Sequence, residues 1–311
     1  MKHEVIPGVG PNDPRAERAE FLRRVRAEAA AAGVDVEPII AVSVGPGPRA
    51  EFRESVAVVS IGNSREAHGP ALAPDIDDRV AQAISTRLCD QLGARYLGHA
   101  PGCTDGVGEV SRRWSPDYQH PKAFVRSLAK FTHTLIEAHG RRALRLLVLI
   151  SGHGGNGALG DHLADLALEI GVERCLYLPA LRVIDDQGRA RAPQHAGEDE
   201  HAVALALGPG CIDSEALHRA NAAMAEPGPR YRLLRRHPAF AGMAGFYCFG
   251  GDVFDVIRGR YEGVKAAVRD VLERRRVQAD PVRGREVIRA SVTLAVDDVE
   301  QAARALGITV S

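Results

Sequence analysis

The chain has 311 residues, 45% of them apolar, and its 40 basic and 40 acidic residues cancel to no net charge. That balance excludes a nucleic-acid or anionic-membrane surface as its main business, since both need clustered positive charge. The five cysteines form no C-x-x-C pair, which speaks against a disulfide framework or a thiolate zinc site.

The N-terminus (MKHEVIPGVGPNDPRAERAEF) lacks the apolar core of a secretory signal. No apolar run approaches the roughly 20 residues that span a bilayer. A soluble cytoplasmic protein with no membrane or nucleic-acid partner is the expectation. Residues 13–32 pattern as a helix, with Asp13 as cap and Pro14 in the first turn. Residues 38–44 and 56–61 are short β-branched runs of the buried-strand type. Residues 77–92 carry a helical stripe, and 98–121 are rich in glycine, proline and polar groups, the composition of a functional loop.

From there helix and strand alternate: helix 121–139, strand 144–150, helix 158–170, strand 174–184. This spacing is the βαβ signature of a parallel sheet covered on both faces. Helices at 198–225, 252–275 and 283–306 follow, with 226–250 as loop. The expected architecture is an α/β three-layer sandwich around a mostly parallel sheet. Residues 1–50 form an N-terminal helical extension with a first strand, and 51–311 form the main domain.

Open parallel sheets bind ligands beyond the carboxyl ends of their strands, and three such ends here carry metal-ligand residue types. After 56–61 come Glu66, His68, Asp75, Asp77 and Asp78; after 144–150 comes His153; after 174–184 come His195, Glu198, Glu200 and His201. Imidazoles and carboxylates together suit a borderline divalent cation. Taken singly, Asp77 reads equally as a helix cap and His153 as a buried structural histidine. The stretch Ser151–Gly157 also offers a nucleotide-loop reading, because it follows a strand and opens a helix. Its glycines fit G-x-G-x-x-G only with a histidine at the first variable position, and Asp185 is a poor ribose ligand.

In this order the three clusters resemble the creatininase (creatinine amidohydrolase) family. Glu66, His68, Gly69, Pro70, Leu72 and Asp77 are similar to its first motif, Ser151–Asn156 to its Gly-His-Gly-Gly-Asn-type second motif, and His195–Glu200 to its third. The resemblance implies an α/β/α domain, often a homohexamer, holding two divalent ions (zinc, with manganese or iron as alternatives). It implies hydrolysis of non-peptide C–N bonds in small polar amides, lactams or formamides. Glu66, His68, Asp77 and His153 are the implied metal ligands, with Asp77 bridging.

In creatininase proper a glutamate stands where this chain has Gly155, so the chain resembles the branch of formamidopyrimidine deformylases and the mycofactocin-precursor peptidase. Glu198 is the candidate for the missing carboxylate. It would bring two divalent ions, Glu66 and Asp77 close to neutrality once a hydroxide is added. His195, with Glu198, is the expected catalytic residue, giving a proton to the departing nitrogen or stabilising the oxyanion.

His99, Trp114, Gly154, Gly155 and Asn156 are candidate substrate-side residues. Asp105, Glu109, Arg112 and Arg113 in the same loop suit a polar or anionic substrate as well as they suit a solvated face. Ala71 and His201 depart from the family's motifs, and the loop does not match creatinine hydrolysis. The alternatives are a non-catalytic binding member of the same fold, or a nucleotide-binding protein.

Overall fold

The computed structural model describes residues 50–224 and 277–310, apart from 67, 70, 107, 114, 139–143, 185–187 and 194. The helices expected at 13–32 and 252–275, the strand at 38–44, the loop at 226–250 and Trp114 lie outside these residues.

A short helix α1 (Ala50–Ser55) runs directly into β1 (Val56–Ile61). Helix α2 (Ile76–Leu92) follows, then β2 (Arg95–Ala100), α3 (Pro121–Ala138) and β3 (Leu146–Ser151). A 3-10 segment (Gly154–His162) leads into α4 (Leu163–Ile170) and β4 (Arg174–Pro179). A two-residue antiparallel pair, β5 (Val183–Ile184) and β6 (Ala190–Arg191), precedes α5 (Glu198–Leu207), α6 (Ser214–Met224) and α7 (Pro281–Ala305).

The main sheet has the order β2-β1-β3-β4, all parallel. Every residue of β1 and β3 is buried, which is why both read as unbroken apolar runs rather than alternating ones. Their side chains nevertheless alternate between two cores. Val56, Val58, Leu146, Val148 and Ile150 pack with Val80, Ile84 and Leu88 of α2 and with Val287, Val292 and Val299 of α7. Ala57, Val59, Ile61, Leu147 and Leu149 pack with Phe124 and Leu128 of α3 and with Leu166 and Ile170 of α4. Helices thus cover both faces, as the sandwich requires.

Three elements differ from the sequence expectation. Residues 95–100 form an edge strand, although Arg95, Gly98 and His99 interrupt the apolar pattern there. Its register slips at Val58/Val59, where Leu97 is the extra residue of a bulge. The stretch 198–225 is two helices because Gly208-Pro209-Gly210 ends the first. The run 174–184 divides at Pro179 into β4 and β5.

The chain leaves β1 towards β2 on one side and later returns to β3 on the other. The carboxyl ends of β1 and β3 therefore flank the switch point where such sheets open a crevice. Two glycines let α2 seat on those ends. A Cβ on Gly62 would lie 2.8 Å from the Asp78 backbone, and one on Gly152 would lie 2.0 Å from the Asp77 carbonyl oxygen.

Helix α7 packs on α5 through a similar approach, since a Cβ on Gly284 would lie 2.0 Å from the Ala202 carbonyl oxygen. Replacing a helix glycine by alanine ordinarily stabilises by about 1 kcal/mol. At Gly284 the sign reverses, because two helices must separate. Gly284→Ala is expected to destabilise by about 1–3 kcal/mol, measured as a lower urea midpoint; a raised midpoint would contradict the packing described.

Candidate metal centre

Glu66 and His68 sit on the loop leaving β1, Asp77 in the first turn of α2, His153 just past β3, and His195 ahead of α5. These segments start far apart in sequence and meet at the switch point. Glu66, Asp77 and His153 form one group whose ligand-type atoms lie within 4.8 Å of one another, and Glu66, His68 and His195 form a second.

Asp77 faces two histidines and Glu66 faces three. Asp77 Oδ1 is 3.2 Å from His68 Nε2, and its Oδ2 is 3.3 Å from His153 Nδ1. Glu66 Oε2 is 2.6 Å from His153 Nδ1, and its Oε1 is 3.9 Å from His195 Nε2. A carboxylate that offers each oxygen to a different imidazole is placed to bridge two cations. The His68 and His195 rings stand 4.3 Å apart between centroids.

Glu66, His68, Asp77 and His153 are all buried. Among the described residues, Glu66 Oε2, His68 Nε2 and Asp77 Oδ2 are buried atoms that, despite these close contacts, make no hydrogen bond of good geometry. Buried polar atoms are rarely left so, and three of them in one pocket fit a bound divalent cation with nitrogen and oxygen ligands.

The electrostatics point the same way. Burial would raise the Asp77 carboxyl, yet His68 and His153 beside it hold it far below the usual carboxylate range. Burial would likewise lower His68, but Asp77 and then Glu66 carry it up to about 10. Burial opposes the protonated form of His153 too, and Glu66 and Asp77 hold its value well above that of an ordinary imidazole. The pocket therefore holds positive charge, as protons or as metal.

The third motif distributes its side chains differently from the sequence expectation. Glu198 is the first residue of α5, and its Oε1 accepts from the Gln278 backbone N–H at 3.5 Å. It is in neither ligand group. The carboxyl of α5 that feels His68, Asp77 and Glu66 is Glu200, pushed up to about 8 by burial, with His68 opposing. Glu200 also accepts from the N–H of Ala196. That residue has φ +50°, the one non-glycine among the described residues in the left-handed region, and the bond helps fix the turn that presents His195. His201 is buried, with Nδ1 2.9 Å from the Gly197 carbonyl oxygen, and burial lowers it to about 4, so it is neutral.

The substrate-side candidates also separate. His99 lies on β2, with Nδ1 2.8 Å from Ser60 Oγ and Nε2 3.1 Å from Asp78 Oδ1, so both ring nitrogens face protein groups. Asn156 is buried; its Oδ1 accepts from Thr104 N–H, and its Nδ2 reaches the Gly62 carbonyl and Ser151 Oγ. It ties three loop ends together and has little amide capacity left for a ligand. A Cβ on Gly154 would meet open space, whereas one on Gly155 would meet His153 and Asp105. Arg112 is paired with Glu109 at 2.7 Å and lies over the Tyr118 ring, so its charge is partly spent locally.

His68 supplies a prediction with a definite sign. Its folded value of about 10 exceeds the ordinary 6.5, so its proton stabilises the metal-free fold below pH 6.5, and that stability is lost as pH rises towards 10. A metal would displace the proton. The metal-stripped protein should therefore melt at a lower temperature at pH 9.5 than at pH 6.5, with the drop reduced by added zinc. Equal drops with and without zinc would contradict it.

A family model described as creatinine amidohydrolase matches residues 48–248. The chain is 24% identical over 249 residues to 2-amino-5-formylamino-6-ribosylaminopyrimidin-4(3H)-one 5'-monophosphate deformylase of Methanothermobacter marburgensis, covering 79% of this chain and 90% of that protein. To the protein of the same name in Methanothermobacter thermautotrophicus it is 28% identical over 158 residues, 49% of this chain and 59% of that one. It is also 29% identical over 177 residues to the mycofactocin precursor peptide peptidase of Mycobacterium ulcerans, spanning 54% of this chain and 66% of that protein. Among solved structures, a creatinine amidohydrolase (creatininase) shares the fold with a TM-score of 0.51 and 16% identity, over 81% of this chain and 93% of that one. With the motifs gathered at one strand-end pocket and the family model covering most of the chain, the protein belongs to the creatininase family of amidohydrolases.

Proposed function

We propose that the protein hydrolyses a C–N amide bond in a small polar molecule (a cyclic amide, lactam or formamide) with two divalent ions held at the β1/β3 switch point. The observation that carries this reading is the pair of ligand groups sharing Glu66, with Asp77 spanning His68 and His153. The deformylase relatives, as their name states, act on a formylamino pyrimidine, which supports a formamide or similar small amide as substrate.

Glu66, Asp77 and His153 would hold one ion, and Glu66, His68 and Asp77 would hold the other, with His195 beside Glu66 and His68 at its edge. Zinc fits these nitrogen and oxygen ligands, and manganese or iron would be accepted by the same set. Bound ions supply Lewis acidity for the carbonyl and lower the pKa of water towards 7.

The remaining chemistry falls to the chain. An amide nitrogen leaves poorly unless it receives a proton, so an acid is required. His195 is the candidate: its side chain is 24% exposed, against 3% for His153, so it stands at the open edge of the pocket. Glu200, which burial pushes up to about 8 in the metal-free protein, accepts from the Ala196 N–H and so holds the turn that carries His195. Homo-oligomerisation, a hexamer by family resemblance, belongs to the same proposal.

Metal analysis of the purified protein is the first test. Wild type should carry about two divalent ions per chain, and His153→Ala should lose at least one. A wild type without stoichiometric metal, even after incubation with zinc, manganese or iron, would sink the reading. His195→Ala should keep its metal and lose at least about 100-fold in kcat on a formamide substrate. Loss of a full metal equivalent in that variant would make His195 a ligand and remove it as the acid.

A further inference from the structure

Metal-binding histidines work when their second nitrogen is held, because that bond fixes the tautomer and the plane of the ring. His153 is buried, and its two nitrogens face opposite ways. Nδ1 faces the carboxylates, 2.6 Å from Glu66 Oε2 and 3.3 Å from Asp77 Oδ2. Nε2 is turned away from them and has no hydrogen-bond partner. The carboxylate on that side is Asp105, whose Oδ2 is 4.0 Å from Nε2 and whose side chain is only 12% exposed.

Gly155 makes this approach possible. A Cβ there would lie 2.4 Å from His153 Nε2 and 2.9 Å from the Asp105 carboxylate, filling the space between them. Gly155 is not among the glycines with positive φ, so its backbone would accept any L-residue. The glycine is required for room and not for conformation. Asp105 is itself placed by its loop, since the neighbouring Thr104 N–H donates to the buried Asn156 side chain at 2.8 Å.

We propose that Asp105 is the positioning carboxylate of His153: it accepts a hydrogen bond from Nε2–H, keeping the proton on that nitrogen, and so leaves Nδ1 as the nitrogen offered to a cation. A separation of 4.0 Å exceeds a hydrogen bond of about 2.9 Å by roughly 1 Å, so the bond requires the Asp105 carboxylate to move towards the ring. Glu66, Asp77 and His153 then act as ligands, while Asp105 acts through His153. This inference rests on the metal-centre reading above and assigns the function of a residue on the β2 loop that the ligand groups leave out.

The test is a competition titration of metal-stripped protein with zinc against a chromophoric chelator, alongside a thermal melt of each metal-free variant. Asp105→Ala should weaken binding at one site by 10- to 100-fold. Asp105→Asn keeps an acceptor oxygen and should recover most of that loss. Gly155→Ala should weaken the same site, because its methyl group displaces the His153 ring.

Unchanged affinity in Asp105→Ala overturns the proposal. So does an Asp105→Asn variant that loses a whole metal equivalent, which would make Asp105 a direct ligand. If Asp105→Ala does not fold, the affinities of Asp105→Asn and Gly155→Ala decide. Wild type that binds no zinc would instead defeat the metal-centre reading itself, a result separable from any difference between variants.

Discussion

The seating of the first turn of α2 on the ends of β1 and β3 is the constraint on which the rest of the centre depends. Asp77 belongs to a helix, and Glu66, His68 and His153 belong to loops at strand ends. They share a pocket only because Gly62 and Gly152 present no side chain where the helix backbone arrives, 2.8 and 2.0 Å from their would-be Cβ positions. The hydrophobic stripe of α2, Val80, Ile84 and Leu88, drives the helix onto the sheet. The two glycines decide how far it goes, and a helix held further off the strand ends would carry Asp77 away from both histidines. Packing energy is thereby converted into the position of a carboxylate.

That arrangement is costly without a cation. Desolvating a carboxylate costs several kcal/mol, and paired charges recover it only with good geometry and satisfied lone pairs. Here Glu66 Oε2 and Asp77 Oδ2 share a single nitrogen, His153 Nδ1, at 2.6 and 3.3 Å, and neither makes a hydrogen bond of good geometry. Protonated His68 and His153 offset part of the charge, and their raised pKa values are the measure of how strongly the pocket wants it. A divalent ion offers more charge and ligand bonds to the same atoms. Folding stability and metal affinity would therefore be coupled through one set of side chains, which is a reason for building such a site on buried strand ends and not on a surface loop.

Much of this was legible in the sequence. Unbroken apolar runs announced β1 and β3, and the order of the three motifs announced the family. What stayed hidden depends on direction in space. Edge strand β2 was missed because half-exposed positions such as Arg95 and His99 need not be apolar. The sequence reading singles out Glu198, yet at about 100° per residue it points roughly 200° away from Glu200 on α5. Only the packing of that helix against α7 shows that Glu200 faces the pocket and Glu198 faces Gln278. Asn156 sits among glycines of a loop that reads as a ligand cradle, yet its amide is occupied by Thr104, Gly62 and Ser151.

The glycines of Ser151–Gly157 also separate once each is asked what a methyl group would strike. A phosphate cradle uses glycines so that backbone N–H groups can close on an anion at the start of an α-helix. Here the segment after His153 is 3-10, and α4 begins only at Leu163, so no α-helix N-terminus stands at the motif. Gly154 and Gly157 face open space, whereas Gly152 and Gly155 are pressed by Asp77, His153 and Asp105. The two crowded glycines bring carboxylates to either side of one imidazole. An environment of buried carboxylates repels phosphate and attracts cations, and that supports the metal reading over the nucleotide reading on charge alone.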